Sequence, residues 1–136
     1  MTTELWYLFL TAALLGVLWI PYIIGQVTTA GLLKPEEYRK LRNVEDAPDW
    51  VRRANRAHLN LVEQFGVFAA FVLVAHLAGI SDGTTQLCAV IFFWARVAHA
   101  VVFIAGISVA MLRTLIFTVA WATLVVYGIK IAAGAM

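Results

Sequence analysis

Three polar residues, Arg56, Asn60 and Glu63, are spaced by four and three positions in the segment "RRANRAHLNLVEQFGVFAAFVLVAHLAG", residues 52–79, which begins basic and ends almost wholly apolar. At about 100° per residue this spacing places them, with Arg52, on one helical face. A second set, Phe92, Arg96, His99 and Phe103, shares a face in "FFWARVAHAVVF", and Arg113 and Thr114 open a further apolar run. Three guanidinium groups, on Arg56, Arg96 and Arg113, therefore face one acid, Glu63, with Asn60 and His99 able to hydrogen-bond. A charge at the centre of a spanning helix costs ~2.5–3.5 kcal/mol even on insertion scales, so these groups must be paired or directed at a ligand. An excess of guanidinium asks for an anion, and one carboxylate can meet an ammonium group; the ligand that fits is small, zwitterionic and net negative. A structural ion pair between Glu63 and Arg96 is the competing expectation. His99 alone reads as a packed, hydrogen-bonded residue, and His58 and His76, off the stripe, receive no role. Arg52, Arg53 and Lys130 read as anchors or snorkelling residues at helix ends.

The elements that must position these groups are membrane helices. Of 136 residues 62% are hydrophobic and 13% charged, far from the composition of a soluble domain. Four apolar windows predict a single all-α domain over 1–136, a four-transmembrane-helix bundle with helices at about 5–30, 56–80, 85–107 and 112–134, each near the ~20 residues needed to span. The first window is too long for a signal-peptide core and lacks a basic flank, so it reads as a permanent helix. The loop at 31–50 is polar; Pro35 and Pro48 interrupt it, and "PEEYRKLR" can form a short helix with Pro35 in its first turn. "GISDGTT" has turn chemistry, and the connection at "IAGISVAML" must be tight. Lys34, Arg39, Lys40, Arg42, Arg52 and Arg53 flank the first loop, which the positive-inside rule places in the cytoplasm with both termini outside.

Cys88 stands alone, which excludes an internal disulfide and any cysteine-based metal site. Neither a metal nor a nucleic acid is expected. The five tryptophans read as interfacial or packing aromatics. Four helices enclose little volume, so the polar groups are expected to meet between subunits of an oligomer. The small size and absence of a targeting peptide suit a bacterial inner membrane.

"RANRAHLNLVE" resembles the second-helix signature of the family of membrane-associated proteins in eicosanoid and glutathione metabolism, in which Arg-Ala-x-x-Asn-x-x-Glu recurs; Arg56, Ala57, Asn60 and Glu63 occupy those positions. "IIGQV" at 23–27 resembles the end of the family's first helix, and "ARVAHAVVF" at 95–103 the third-helix segment of its prostaglandin E synthase branch. "LRT" at 112–114 stands where an arginine and a hydroxyl residue begin the fourth helix. The resemblance implies a homotrimer with glutathione between neighbouring subunits. Arg56, Asn60 and Glu63 would bind its backbone and charged ends, Arg96 and His99 would support the pocket, and Arg113, beside Thr114, would sit near the sulfur as the catalytic residue. A nearby guanidinium favours thiolate over thiol, and the thiolate is the nucleophile.

The implied activity is that of a membrane-bound glutathione transferase or peroxidase, with glutathione as co-substrate and hydrophobic electrophiles or lipid hydroperoxides arriving laterally from the bilayer. Phe103 replaces a tyrosine of many catalytic members, Thr28 an arginine after "GQV", and Leu59 an arginine before Asn60. Fewer contacts predict weaker glutathione binding and argue against prostaglandin synthase specificity. The alternative is a non-catalytic member that binds a lipid or serves as a scaffold.

Overall fold

The computed structural model describes residues 1–134, and they are helical throughout apart from turns and connections. Helices α1 (Thr3–Leu18) and α2 (Ile20–Ala30) form the first span, followed by short 3-10 turns at Pro35–Tyr38 and Val44–Asp46. Three long helices complete the chain: α3 (Asp49–Leu77), α4 (Gly83–Ala105) and α5 (Leu112–Gly134). The four spans contain 28, 29, 23 and 23 residues. At ~1.5 Å per residue even the shortest exceeds the ~30 Å hydrocarbon core. The chain is an integral, multi-pass membrane protein.

Two boundaries differ from the sequence expectation. The first span is broken at Trp19, because Pro21 has no N–H to continue the ladder. The indole Nε1 of Trp19 donates to the Gly16 carbonyl at 2.7 Å, satisfying an acceptor at the break. Helix α3 starts at Asp49, seven residues before the expected position, immediately after Pro48. Proline is suited to the entrance of a helix, where a missing donor leaves no ladder bond unmade. The early start puts Arg52, Arg53 and Arg56 on rigid helix.

Asp82 caps α4: its Oδ1 accepts from the amides of Thr84 at 2.8 Å and Thr85 at 3.0 Å, while Thr85 Oγ1 accepts from the Asp82 amide at 2.9 Å. At the other end α4 stops at Gly106, whose φ of 71° is left-handed and suits glycine. The chain then turns within five residues into α5. Helix α4 is central, packed against α1, α3 and α5. Phe68 and Phe92 stack at 4.1 Å in the main core, with Val72, Ala75, Cys88, Ala89 and Tyr127 around them. Cys88 is a buried packing residue, as its apolar context predicts. Near the loop, Leu18, Leu61 and Ala100 form a second cluster.

The polar connection is held by Arg42. Its guanidinium donates to the carbonyls of Gly31 (2.8 Å) and Leu32 (3.0 Å) and pairs with Glu37 at 2.6 Å. Those bonds, with the Lys34 amide, hold the Glu37 carboxyl down at about 2. The opposite end of the bundle is tied by Lys130 and Asp82 at 2.5 Å, so Lys130 is an ion-pair partner rather than a free snorkelling residue. The pair lowers the Asp82 carboxyl below its ordinary value, helped by the helix-start amides.

Candidate functional site

Helix α3 carries two neighbouring polar rows, where the sequence suggested one. Arg53, Asn60 and Gln64, seven and four residues apart, form the row turned toward α4. Arg52, Arg56 and Glu63 form the row beside it, turned away from the chain's own core. The structure assigns their partners accordingly. Arg96, only 2% exposed, donates to Asn60 Oδ1 and, through Nη1, to Gln64 Oε1 at 3.2 Å. Glu63 instead faces Arg56, with the charged atoms 3.5 Å apart and both side chains more than half exposed, 56% and 57%. A direct Glu63–Arg96 ion pair is therefore corrected: one residue of helical phase separates Glu63 from the row that reaches α4.

On α4, His99 is 3% exposed and lies one turn beyond Arg96. Its ring centroid is 5.4 Å from Phe103 and 6.3 Å from Phe117 of α5. Those aromatic rings organise the two flanking arginines. The Arg96 guanidinium carbon is 5.9 Å from the Phe117 centroid, and that of Arg113 is 4.9 Å from the Phe103 centroid. Such cation–ring contacts contribute ~0.5–1 kcal/mol at exposed sites and more when desolvated. The result is a ladder from α3 through α4 to α5: Asn60 and Gln64, Arg96, Phe117, His99, Phe103 and Arg113. Arg113 itself is exposed, as is Thr114, whose hydroxyl makes no hydrogen bond among the described residues.

The expected site residues Arg56, Asn60, Glu63, Arg96, His99, Arg113 and Thr114 thus lie at the loop-side half of the bundle, but in two layers. Arg96 and His99, both buried, and the half-buried Asn60 belong to an inner brace. Arg56, Glu63, Arg113 and Thr114 lie on open surface. Sequence reasoning missed Gln64, although its place four residues after Asn60 was a usable signal. It also missed Phe117 and the contacts made by Arg52 and Arg53, which it read as anchors at the helix end. Arg52 pairs with Asp49 at 2.5 Å and Glu45 at 3.0 Å, whereas Arg53 docks on α4, its Nε donating to the Ile104 carbonyl at 3.4 Å.

Two depressions adjoin these residues. A cleft of about 430 Å³ at the loop end is lined by Arg52, Arg53, Arg56 and Phe103 together with acids Glu45 and Asp49. A largely apolar groove of about 570 Å³ begins at Glu63 and Gln64 and follows α3 and α5 past Phe71, Trp121 and Gly128 to Ala132. The first offers cations to a polar molecule. The second suits an acyl or aromatic body, and both open near Arg56 and Glu63.

The opposite end holds a polar cluster that sequence reading also missed. Glu4, 3% exposed, accepts from Thr85 Oγ1 at 2.7 Å and Ser81 Oγ at 2.9 Å. It fastens the start of α1 to the start of α4.

No curated protein matches the chain at a significant level. The family model of the MAPEG family, the membrane-associated proteins in eicosanoid and glutathione metabolism, matches residues 5–133, from the first turns of α1 to the last turn of α5 and across every residue of the loop-side cluster. With the four-span helical fold and that cluster in place over nearly its whole length, the chain belongs to the MAPEG family.

Proposed function

We propose that this protein is a membrane-bound glutathione transferase whose site is built around Arg56, Asn60, Glu63, Arg96, His99, Arg113 and Thr114. The observation that carries the reading is the open layer of charge, Arg56, Glu63 and Arg113, resting on an inner Asn60–Arg96–His99 brace in a membrane helix bundle. Exposed ionised groups within membrane helices call for a polar ligand or a neighbouring subunit to cover them. Glutathione supplies two carboxylates, an ammonium group and a thiol. Glu63 meets the ammonium group, and the guanidinium of Arg56 meets the carboxylate beside it.

Arg113 acts on the sulfur. Its positive charge stabilises the thiolate relative to the thiol, raising the fraction of nucleophile at neutral pH. The Phe103 ring fixes one face of the guanidinium, leaving its edge nitrogens for the ligand. The thiolate attacks an electrophilic carbon, forming a C–S bond as the leaving group departs with the bonding pair. With a hydroperoxide the same thiolate attacks oxygen, the O–O bond breaks, and the released alkoxide takes a proton; a second glutathione then converts the sulfenic acid to disulfide and water. The apolar groove from Glu63 along α3 and α5 gives a hydrophobic co-substrate a lateral route from the bilayer.

A homotrimer completes this reading, with a neighbouring copy covering the exposed Arg56–Glu63 row. The basic loop lies in the cytoplasm, since Lys34, Arg39, Lys40 and Arg42 concentrate there. A second reading, lipid binding without turnover, is favoured by one observation: Phe103 offers no hydroxyl toward the ligand and instead occupies a face of Arg113. Purified protein in detergent decides between them. Glutathione should bind saturably by calorimetry and conjugate to a chloronitrobenzene. Arg113→Ala should lose at least ~10-fold in turnover while still binding glutathione. Glutathione binding without conjugation or peroxide reduction by the parent would select the second reading, and no binding at millimolar glutathione would reject the first.

A further inference from the structure

The loop-end cleft contains three guanidinium groups, and two are already engaged. Arg52 is held by Asp49 and Glu45, and Arg56 faces Glu63. Arg53 has no acidic partner among the described residues. Among the same residues its one hydrogen bond runs from Nε to the Ile104 carbonyl. The guanidinium lies flat against the end of α4, so close that a Cβ added to Gly106 would fall 2.8 Å from its Cζ and Nη2. The carbonyl end of a helix attracts a cation, and the missing side chain of Gly106 makes the approach possible. Arg53 is thus oriented by backbone, with its remaining hydrogen-bonding capacity left for the cleft.

Phe103 also lines this cleft, and the same ring carries Arg113 at 4.9 Å. A molecule with its thiol at Arg113 can therefore extend past Phe103 to Arg53. The two ends of glutathione make different chemical demands. The γ-glutamyl end bears an ammonium group beside its carboxylate and suits the mixed Arg56–Glu63 pair. The glycine end bears only a carboxylate and suits a cation whose nearby acids are already taken. Glu45 and Asp49 meet that condition, because Arg52 occupies both.

We infer that Arg53 binds the glycine carboxylate of glutathione and so selects a peptide thiol with a free C-terminus, an inference that rests on the glutathione reading above. Arg53 is on the same α3 row as Asn60 and Gln64, so ligand contact and brace share one helix face. Binding at Arg53 also ties the ligand to the end of α4, just before the turn that leads to Arg113.

Calorimetric titration of glutathione and of its glycine ethyl ester into the parent protein, Arg53→Gln and Arg53→Lys tests this. The parent should bind the ester at least about tenfold more weakly than glutathione, as expected when a charged hydrogen-bond partner is lost. Arg53→Gln should weaken glutathione by a similar factor and leave the ester unchanged, abolishing the discrimination; Arg53→Lys should restore part of it. Equal parent affinity for acid and ester overturns the inference without any variant, even if Arg53→Gln fails to fold. Equal weakening of both ligands by Arg53→Gln overturns it as well, since it marks a structural role. Failure of the parent to bind glutathione at all is a different outcome: it removes the underlying reading and this inference with it.

Discussion

Asn60→Leu is expected to destabilise the ligand-free protein, whereas Glu63→Gln is expected to leave its stability unchanged and weaken only glutathione binding. The distinction follows from the two layers of the site. Arg96 is 2% exposed, and its Nε already lacks a partner among the described residues. Its remaining donors reach Asn60 and Gln64, so removing the Asn60 carbonyl strips one of two protein acceptors from a buried cation. A hydrogen bond to a charged group contributes ~1.5–3 kcal/mol, and an orphaned buried charge forfeits at least that. For a chain of this size the loss corresponds to a fall in thermal midpoint of roughly 5–15 °C. Glu63, by contrast, is 56% exposed and meets Arg56 across 3.5 Å, the geometry of a surface pair, for which the median contribution is ~0–1 kcal/mol.

A thermal-shift series in one detergent, with Arg96→Leu and the double variant Asn60→Leu/Arg96→Leu, measures the coupling directly. In the Arg96→Leu background Asn60 has no cation to serve, so Asn60→Leu should then cost little. The coupling should be at least ~1 kcal/mol, as for residues sharing one hydrogen-bond network. If Asn60→Leu lowers the midpoint equally in both backgrounds, the inner brace is not what Asn60 supports. If Glu63→Gln lowers it as much as Asn60→Leu does, the separation into brace and open layer is wrong.

Two further outcomes follow from other parts of the fold. A Cβ at Gly25 would fall 2.5 Å from Val51 Cγ2 and 2.8 Å from Trp50 Cη2, so Gly25→Ala should destabilise by about 1–3 kcal/mol through overpacking of α2 on α3. Gly16→Ala, with nothing among the described residues within 4 Å of the added carbon, should not; equal midpoints for the two variants would refute the close approach. The Glu37 carboxyl, held at about 2 against an ordinary 4.5, favours the folded loop when ionised. Its contribution is fully present above pH 4.5 and lost as pH falls toward 2. In Arg42→Ala the carboxyl titration, followed by carbon NMR, should move up toward the ordinary value; an unmoved titration would show that Arg42 is not its cause.

How far the fold was legible depends on the range of the interactions that fix it. The spans follow from local composition, and the Arg56–Asn60–Glu63 alignment follows from helical periodicity alone. Even the short turn at Pro35–Tyr38 is signalled by the proline that opens it. Pro21 was equally visible and does mark the break at Trp19, but within an apolar window of that length the interruption is hidden from hydropathy. Glu4 was illegible for a different reason. A lone acid before an apolar run reads as a solvated flank, yet its hydroxyl partners lie 77 and 81 residues along the chain. Only the packing of α1 against α4 brings them together.

The candidate site shows the same division at finer scale. Periodicity identifies which residues can share a stripe, but neighbouring rows on one helix are separated by less than the arc a long side chain can sweep. Glu63 and Gln64 are adjacent in sequence and both plausible partners for an arginine on α4. Charge alone favours Glu63. Packing selects Gln64, because Arg96 approaches α3 along the row of Asn60 and Gln64. The neutral partners leave the charge of Arg96 uncancelled inside the bundle, and the acid that charge counting assigns to it stays on the open face with Arg56. That arrangement keeps a buried cation behind an exposed carboxylate. Under the proposed function it is Glu63 that meets the ammonium group of the ligand, while the arginines are left for its anionic groups.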